Sequence, residues 1–201
     1  MHPTTFSVLI PTHNRLNLLS MAIETVCRQD YPLWEIVVSD NNSTEDVKGY
    51  VDSLNDKRIK YIRTTEFLPV TDNWNLALAN STGDYVIMLG DDDGLMPGYF
   101  SGLNEYITKF EAPDFIYTGA YLFAYPSVLP GCPGGFLRSY ENRAIYQGRT
   151  DAFLLGKDKA TAFVENSMNF RVEFDYNMQF SLVSRRLIEM LEWHGQVYQS
   201  P

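Results

Sequence analysis

Apolar residues in the first half of the chain follow two patterns that take turns. Short continuous runs occur at Phe6-Ser7-Val8-Leu9-Ile10, Trp34-Glu35-Ile36-Val37-Val38, Ile59 to Ile62, Tyr85 to Leu89 and Phe115-Ile116-Tyr117. Their length and β-branched content predict strands buried on both faces. Between them the apolar positions recur at helical spacing. Leu19, Ala22, Ile23, Val26 and Cys27 predict one helix, and Val47, Val51 and Leu54 a second. Ser43, with Asp46 three residues on, has the form of a capping box for that second helix. A third helix is expected from a cap at Thr71 to about Ala79, with Gly83 breaking the pattern. A fourth is expected from Pro97, with Phe100, Leu103, Ile107 and Phe110 on its inner face.

This β-α-β-α rhythm predicts an α/β fold with a mostly parallel central sheet flanked by helices. The second half is less regular. Pro126 to Gly135 holds three prolines and three glycines and reads as a loop. Beyond it, a helix is expected over Arg149 to Leu155, a strand over Phe180 to Val183 and a helix over Arg185 to Leu191. No repeat, low-complexity segment or linker divides the 201 residues, so a single domain is expected over 1–201.

Polar residues gather where the runs end. The first run leads into Pro11-Thr12-His13-Asn14-Arg15, the second into Ser39-Asp40-Asn41-Asn42, and the fourth into Asp91-Asp92-Asp93. If these strands are parallel, the three ends lie on one edge of the sheet, where ligands of open α/β sheets bind. Three consecutive carboxylates repel one another, and a cation relieves that. Hard oxygen donors suit Mg²⁺ or Mn²⁺. Taken singly, Thr12, Asn14, Asp40, Asn73 and Asn75 could be caps, and His13 an exposed loop residue. Their joint placement favours a site for a nucleotide with a cation on its phosphates.

Composition narrows the class. A net charge of −9 would repel a nucleic-acid backbone, so nucleic acid is set aside as a partner. The two cysteines, Cys27 and Cys132, are far apart and have no metal or redox spacing, which fits a reduced, cytoplasmic protein. The segment after the N-terminus has no basic region and too short an apolar run for a signal peptide, and no transmembrane segment is expected. Neither a Gly-x-Gly-x-x-Gly turn, nor a Gly-Lys-Ser/Thr phosphate loop, nor a Gly-x-Ser-x-Gly elbow is present. Only three histidines occur, which disfavours a histidine-based zinc site.

Taken together, the stretches Ser7 to Arg15, Glu35 to Ser43, Asn73 to Ala79, Gly83 to Val86, and Gly90-Asp91-Asp92-Asp93 ahead of Met96-Pro97 resemble the family 2 glycosyltransferases, which have the GT-A fold. The resemblance covers roughly the first half. It implies a metal-dependent, inverting transfer of a sugar from a nucleotide-diphosphate donor to a hydroxyl acceptor, in cell-surface polysaccharide or glycoconjugate synthesis. Donor-binding positions would be Pro11, Thr12, His13, Asn14, Arg15, Asp40, Asn41, Asn73, Asn75, Asp91 and Asp92. Metal-binding positions would be Asp92 and Asp93, with Mn²⁺ or Mg²⁺ as cofactor. Gly90 stands where many members carry the first aspartate of the DxD motif, so the split of roles among the three aspartates stays open.

The resemblance further implies a nucleotide-binding half over 1–120 and an acceptor-side half over 121–201, facing a sugar or a lipid-linked glycan. Cytoplasmic action at the inner face of the membrane follows. Ser181 to Arg186 resembles the stretch before the family's general base, so the chain is expected to stop short of that base. Glu165, Glu173 and Asp175 are the internal candidates. The alternative reading is a non-catalytic nucleotide-sugar or glycan-binding module.

Overall fold

A computed structural model describes residues 3–140, 152, 154 and 181–191. Strand β1 is Phe6–Thr12, β2 Trp34–Asp40, β3 Ile59–Arg63, β4 Tyr85–Met88, β5 Phe115–Tyr117, β6 Ala120–Ala124, β7 Phe136–Tyr140 and β8 Ser181–Ser184. The helices are α1 Leu16–Cys27, α2 Val47–Ser53, α3 Val70–Ala79, α4 Tyr99–Lys109 and α5 Arg185–Leu191. The described chain forms two compact units, one of Met1–Ile116 with Ser181–Pro201 and one of Tyr117–Phe180.

The first unit carries a six-stranded sheet in the order β3-β2-β1-β4-β8-β5. β1 runs parallel to both β2 and β4, and β2 parallel to β3. β8 joins β4 antiparallel. Successive strands step from β1 outward to β2 and β3, and β4 then pairs on the other side of β1. The order therefore reverses between β1 and β4, which opens a crevice at their carboxyl ends.

Side chains of one strand point to opposite faces in turn, and both faces are covered. Phe6, Val8 and Ile10 pack with Leu19, Ile23 and Val26 of α1, Val47 and Val51 of α2, and Phe100, Leu103 and Ile107 of α4. Leu9, Val37, Val86 and Met88 pack on the other face with Ala77 and Leu78 of α3 and Ile188 of α5. Continuous apolar runs are the consequence of burial on two sides. Each fully buried Leu, Ile or Phe contributes roughly 1.5–3 kcal/mol.

Three expected helix starts are corrected. Ser43 does not cap α2: the cap is Asp46, whose carboxylate accepts from the Gly49 N–H at 2.8 Å. Ser43 is instead drawn to the neighbouring loop, where its hydroxyl accepts from the Asn14 N–H. Thr71 lies inside α3, which starts at Val70 after Pro69. α4 starts at Tyr99 rather than Pro97, with Gly98 at its cap in the left-handed region (φ 74°), and Phe110 falls at its C-terminal cap. Gly83 does more than follow a helix. A Cβ there would sit 2.7 Å from the Ser7 backbone nitrogen, so the chain can pass β1 only with glycine.

In the second unit β6 and β7 form an antiparallel hairpin that the apolar pattern did not reveal, and Pro126 to Gly135 is its connecting loop. β8 and α5 lie where a strand and a helix were expected. Of the helix expected over Arg149 to Leu155, only residues 152 and 154 are described, and they are not helical. Among the described residues no helix is long and apolar enough to cross a membrane.

Candidate functional site

The parallel pairing puts the ends of β1, β2 and β4 side by side, with Thr12 opposite Asp40 in register. Thr12 is buried, and its hydroxyl donates to Asp91 Oδ2 at 2.8 Å. Arg15, the residue before α1, places Nη1 3.2 Å from Asp91 Oδ1 and 3.2 Å from Asp92 Oδ2. One hydroxyl and one guanidinium therefore collect the carboxylates at the crevice. Asp91 is buried and Asp92 exposed, with side-chain exposures of 9% and 53%.

These environments separate the three acids. Burial pushes the Asp91 carboxyl above the usual range, while the Thr12 hydroxyl and the Arg15 charge pull it back. Burial also raises Asp93, and the neighbouring Asp92 charge adds to the rise. Asp92 lies exposed, and Arg15 is the partner the structure gives it. Among the described residues no group of three or more His, Cys, Asp or Glu gathers as a ready chelating set.

A second group joins the loops after β1 and β2. His13 Nδ1 lies 2.7 Å from the Asn41 carbonyl, which can only accept, so Nδ1 carries the proton. Nε2 then accepts from the Asn14 side-chain amide at 3.1 Å. With both nitrogens engaged, His13 offers a ring face, and the exposed Phe67 meets it edge-on with centroids 4.9 Å apart. Asn14 holds a left-handed backbone (φ 53°) while its side-chain oxygen accepts from the Thr44 N–H at 2.7 Å and from its hydroxyl at 3.0 Å. The first amide of α1, Leu16 N–H, donates to Glu45 Oε2 at 2.8 Å.

The model for the family described as "Glycosyl transferase family 2" matches residues 7–127. The chain belongs to glycosyl transferase family 2. It is 41% identical over 102 residues to the GalNAc(5)-diNAcBac-PP-undecaprenol beta-1,3-glucosyltransferase of Campylobacter jejuni, a match over 49% of this chain and 33% of that protein. It is 32% identical over 148 residues to WcaA of Escherichia coli, a glycosyl transferase named for colanic acid biosynthesis, over 70% of this chain and 52% of that protein. The chain thus spans between a third and about half of these relatives' lengths.

Two solved structures share the fold. S. aureus TarS 1-349 in complex with UDP-GlcNAc superposes with a TM-score of 0.54 at 23% identity, over 57% of this chain and 34% of that one. The mannosyltransferase PcManGT of Pyrobaculum calidifontis, in complex with GDP-Man and Mn²⁺, gives 0.57 at 18%, over 98% of this chain and 48% of that one.

Within this family 2 domain the remaining sequence candidates fall in distinct places. Asp40 is fully buried: Oδ1 accepts from the Ser43 N–H at 2.8 Å and Oδ2 from the Tyr61 hydroxyl at 2.7 Å, with Arg63 Nη1 3.7 Å away. The Asn41 side chain clamps a peptide, donating to the Leu68 carbonyl at 2.9 Å and accepting from the Leu68 N–H at 2.8 Å. Asn73 fastens α3 to β2 through the Ser39 hydroxyl at 2.7 Å and the Ser39 carbonyl at 3.2 Å. Pro11 lies in β1 and Asn75 half-buried on α3. Asn73 therefore holds an element in place, whereas Thr12, Arg15, Asp91 and Asp92 form one connected group.

Sequence reasoning missed Tyr61, Arg63, Glu45 and Phe67. Arg63 had a signal, because it stands opposite Asp40 once β2 and β3 are set parallel. Phe67 had none beyond being an apolar residue in a polar turn. The candidate bases Glu165, Glu173 and Asp175 lie outside the described residues, as does all of 155–180.

Proposed function

We propose that this chain binds a nucleotide-diphosphate sugar across the carboxyl ends of β1, β2 and β4. We further propose that it serves an inverting transfer of that sugar to a hydroxyl acceptor in cell-surface polysaccharide or glycoconjugate synthesis. The observation that carries this reading is the connected group Thr12-Asp91-Arg15-Asp92, which lies where the strand order reverses. Membership of family 2 supports it, as do structural neighbours solved in complex with UDP-GlcNAc and with GDP-Man and Mn²⁺.

The base would lie against the His13 and Phe67 rings, the ribose near Asp40 and Thr12, and the diphosphate beside Arg15 and the aspartates. The donor set fits a divalent metal. Mg²⁺ and Mn²⁺ prefer hard oxygens, and Mg²⁺ sites often use one or two carboxylates and complete their shell with substrate phosphates and water. Asp92 would hold the ion, with the half-buried Asp93 beside it. When bound, such an ion offsets the charge that grows on the diphosphate as it leaves. Asp91, fixed by Thr12, stays with the protein and keeps the end of β4 at the crevice. Inversion requires a general base on the face opposite the leaving group. Relatives named for undecaprenol-linked substrates support a lipid-linked glycan as acceptor and action at the inner face of the membrane.

The test is a thermal-shift titration with UDP, GDP, dTDP and CDP, each with and without Mn²⁺, on wild type and Asp92→Ala. A ligand that binds only the native state raises the melting temperature. A metal-dependent rise for one nucleotide, lost in Asp92→Ala, is the expected result. No rise with any nucleotide would overturn the reading. In a chain extended past Pro201, nucleotide binding without transfer to any acceptor would favour a binding module instead.

A further inference from the structure

Arg15 stands out at the crevice because its present contacts are weak and shared. A single nitrogen, Nη1, serves both Asp91 and Asp92 at 3.2 Å each, longer than a good charge-assisted bond and without the parallel fork that makes arginine–carboxylate pairs strong. Half of the Arg15 side chain is exposed, and such pairs hold little net free energy against water. The other groups at this edge are more firmly engaged. Arg63 donates to the Ser43 carbonyl at 2.8 Å and to Asn42 Oδ1 at 3.2 Å. The α1 N-terminus, a common phosphate seat, already has the Glu45 carboxylate on Leu16 N–H.

We propose that Arg15 is an exchangeable countercharge. Before the donor arrives, its guanidinium neutralises the Asp91–Asp92 pair; when the donor binds, it leaves Asp92 and pairs with the diphosphate. This rests on the donor-site reading above and deepens it. Asp91, Asp92 and Arg15 together carry one net negative charge. A divalent cation reaching Asp92 meets a guanidinium on the same carboxylate, and like charges repel. If Arg15 turns away, Asp92 becomes free for the cation while Asp91 keeps the Thr12 hydroxyl. The guanidinium then needs an anion, and the planar fork suits phosphate oxygens. Metal and nucleotide should therefore each bind more tightly when the other is present. Coupling of this kind is typically about 5–150-fold, and it is reciprocal.

The experiment measures binding, not turnover. Free Mn²⁺ is followed by its electron paramagnetic resonance signal with Mn²⁺ alone and with saturating UDP, GDP, dTDP or CDP. Nucleotide affinity is measured by calorimetry with and without Mn²⁺. Wild type, Arg15→Gln and Arg15→Lys are compared, and the melting temperature of each without ligand checks folding.

In Arg15→Gln, Mn²⁺ alone is expected to bind more tightly, Mn²⁺ in the nucleotide complex no more tightly than in wild type, and the coupling factor to fall toward one. Arg15→Lys keeps a charge and is expected to stay near wild type for Mn²⁺ alone. If Arg15→Gln strengthened Mn²⁺ binding equally with and without nucleotide, Arg15 would be a distant charge only and the exchange would be wrong. Parallel weakening of both ligands, or no change in either, would also overturn it, as would a gain in Mn²⁺ affinity in Arg15→Lys should Arg15→Gln not fold. Wild type that binds no nucleotide at all would overturn the donor-site reading and this proposal together. Binding by wild type with unchanged coupling in the variant would overturn the proposal alone.

Discussion

The Thr12 hydroxyl donates to Asp91 Oδ2 at 2.8 Å, and this buried bond ties the end of β1 to the residues that follow β4. The two positions are 79 apart in sequence, yet they share the crevice because β4 pairs directly with β1. Thr12→Val keeps the shape and removes the donor, leaving a buried carboxylate oxygen short of a partner. Such a loss costs about 1–3 kcal/mol. Urea unfolding of Thr12→Val should show a stability lower by that amount with an unchanged m-value. Equal stability would mean that water or Arg15 replaces the hydroxyl without cost.

Asn41 occupies a position where base contact was expected, but both ends of its side-chain amide are joined to the Leu68 peptide. Its first effect is therefore on the turn that carries Phe67. Asn41→Asp turns the donor facing the Leu68 carbonyl into an acceptor, so two oxygens oppose each other. The variant should lose about 1–3 kcal/mol and should show faster hydrogen exchange at Leu68 than wild type. Exchange that stays as slow as in wild type would show that the clamp does not hold the turn.

Glu35 gives an acid-side prediction. Burial alone would push its carboxyl up. The Lys60 ammonium at 2.7 Å, the Ser7 hydroxyl at 2.7 Å and the Thr82 N–H outweigh burial and hold it below the usual carboxylate range. A carboxylate with a depressed folded pKa adds stability that is present above its unfolded value and is lost as pH falls through the folded one. Wild type should therefore exceed Glu35→Gln in stability at pH 6, and the gap should close as pH drops below about 4.3. Denaturant melts between pH 6 and pH 3 test this. A gap independent of pH would mean that Glu35 acts by packing and not by charge.

What the sequence made legible was set by burial. Val8, Leu9, Ile10 and Ile36 to Val38 have no measurable exposure, so each run keeps three consecutive apolar residues after its one polar position (Ser7, Glu35) and the parallel strands could be read directly. The inner faces of α1 and α4 were legible for the same reason. Caps were less so, because the hydroxyl and carboxylate groups near helix starts have rival partners. Ser43 fits a capping box by spacing, yet the Asn14 N–H and the Asp40 carboxylate take it into the loop contact. The β6–β7 hairpin escaped because Tyr121, Leu122 and Phe123 are three consecutive exposed apolar residues, with none of the alternation that marks a strand with one wet face. At the candidate site, the strand ends could be named from sequence. The pairing of Thr12 with Asp91 could not, because it depends on the order β2-β1-β4, which no local period encodes. The Phe67 turn is placed by the amide of Asn41, a contact between two loops that sequence spacing does not encode.

Tyr61 gives the matching prediction on the alkaline side. Its hydroxyl donates to the buried Asp40 carboxylate at 2.7 Å, and burial, with that bond and the Asp40 charge, pushes the phenol up to about 12. Ionising it would place a second negative charge against Asp40. A group whose folded pKa is raised adds stability that is complete below its unfolded value, about 10 for tyrosine, and is lost as pH rises through the folded one. Tyr61→Phe should therefore be less stable than wild type near pH 8, by about 1–3 kcal/mol for the donor withdrawn from Asp40. The difference should shrink between about pH 10 and pH 12. The same variant should lose one tyrosine's amplitude from the 295 nm absorbance titration, at about pH 12. Tyr31, Tyr50 and Tyr85 are also raised by burial, but they are common to both proteins and cancel in the difference. If the amplitude that Tyr61→Phe removes is centred near pH 10 instead, Tyr61 is not bonded to Asp40 in solution.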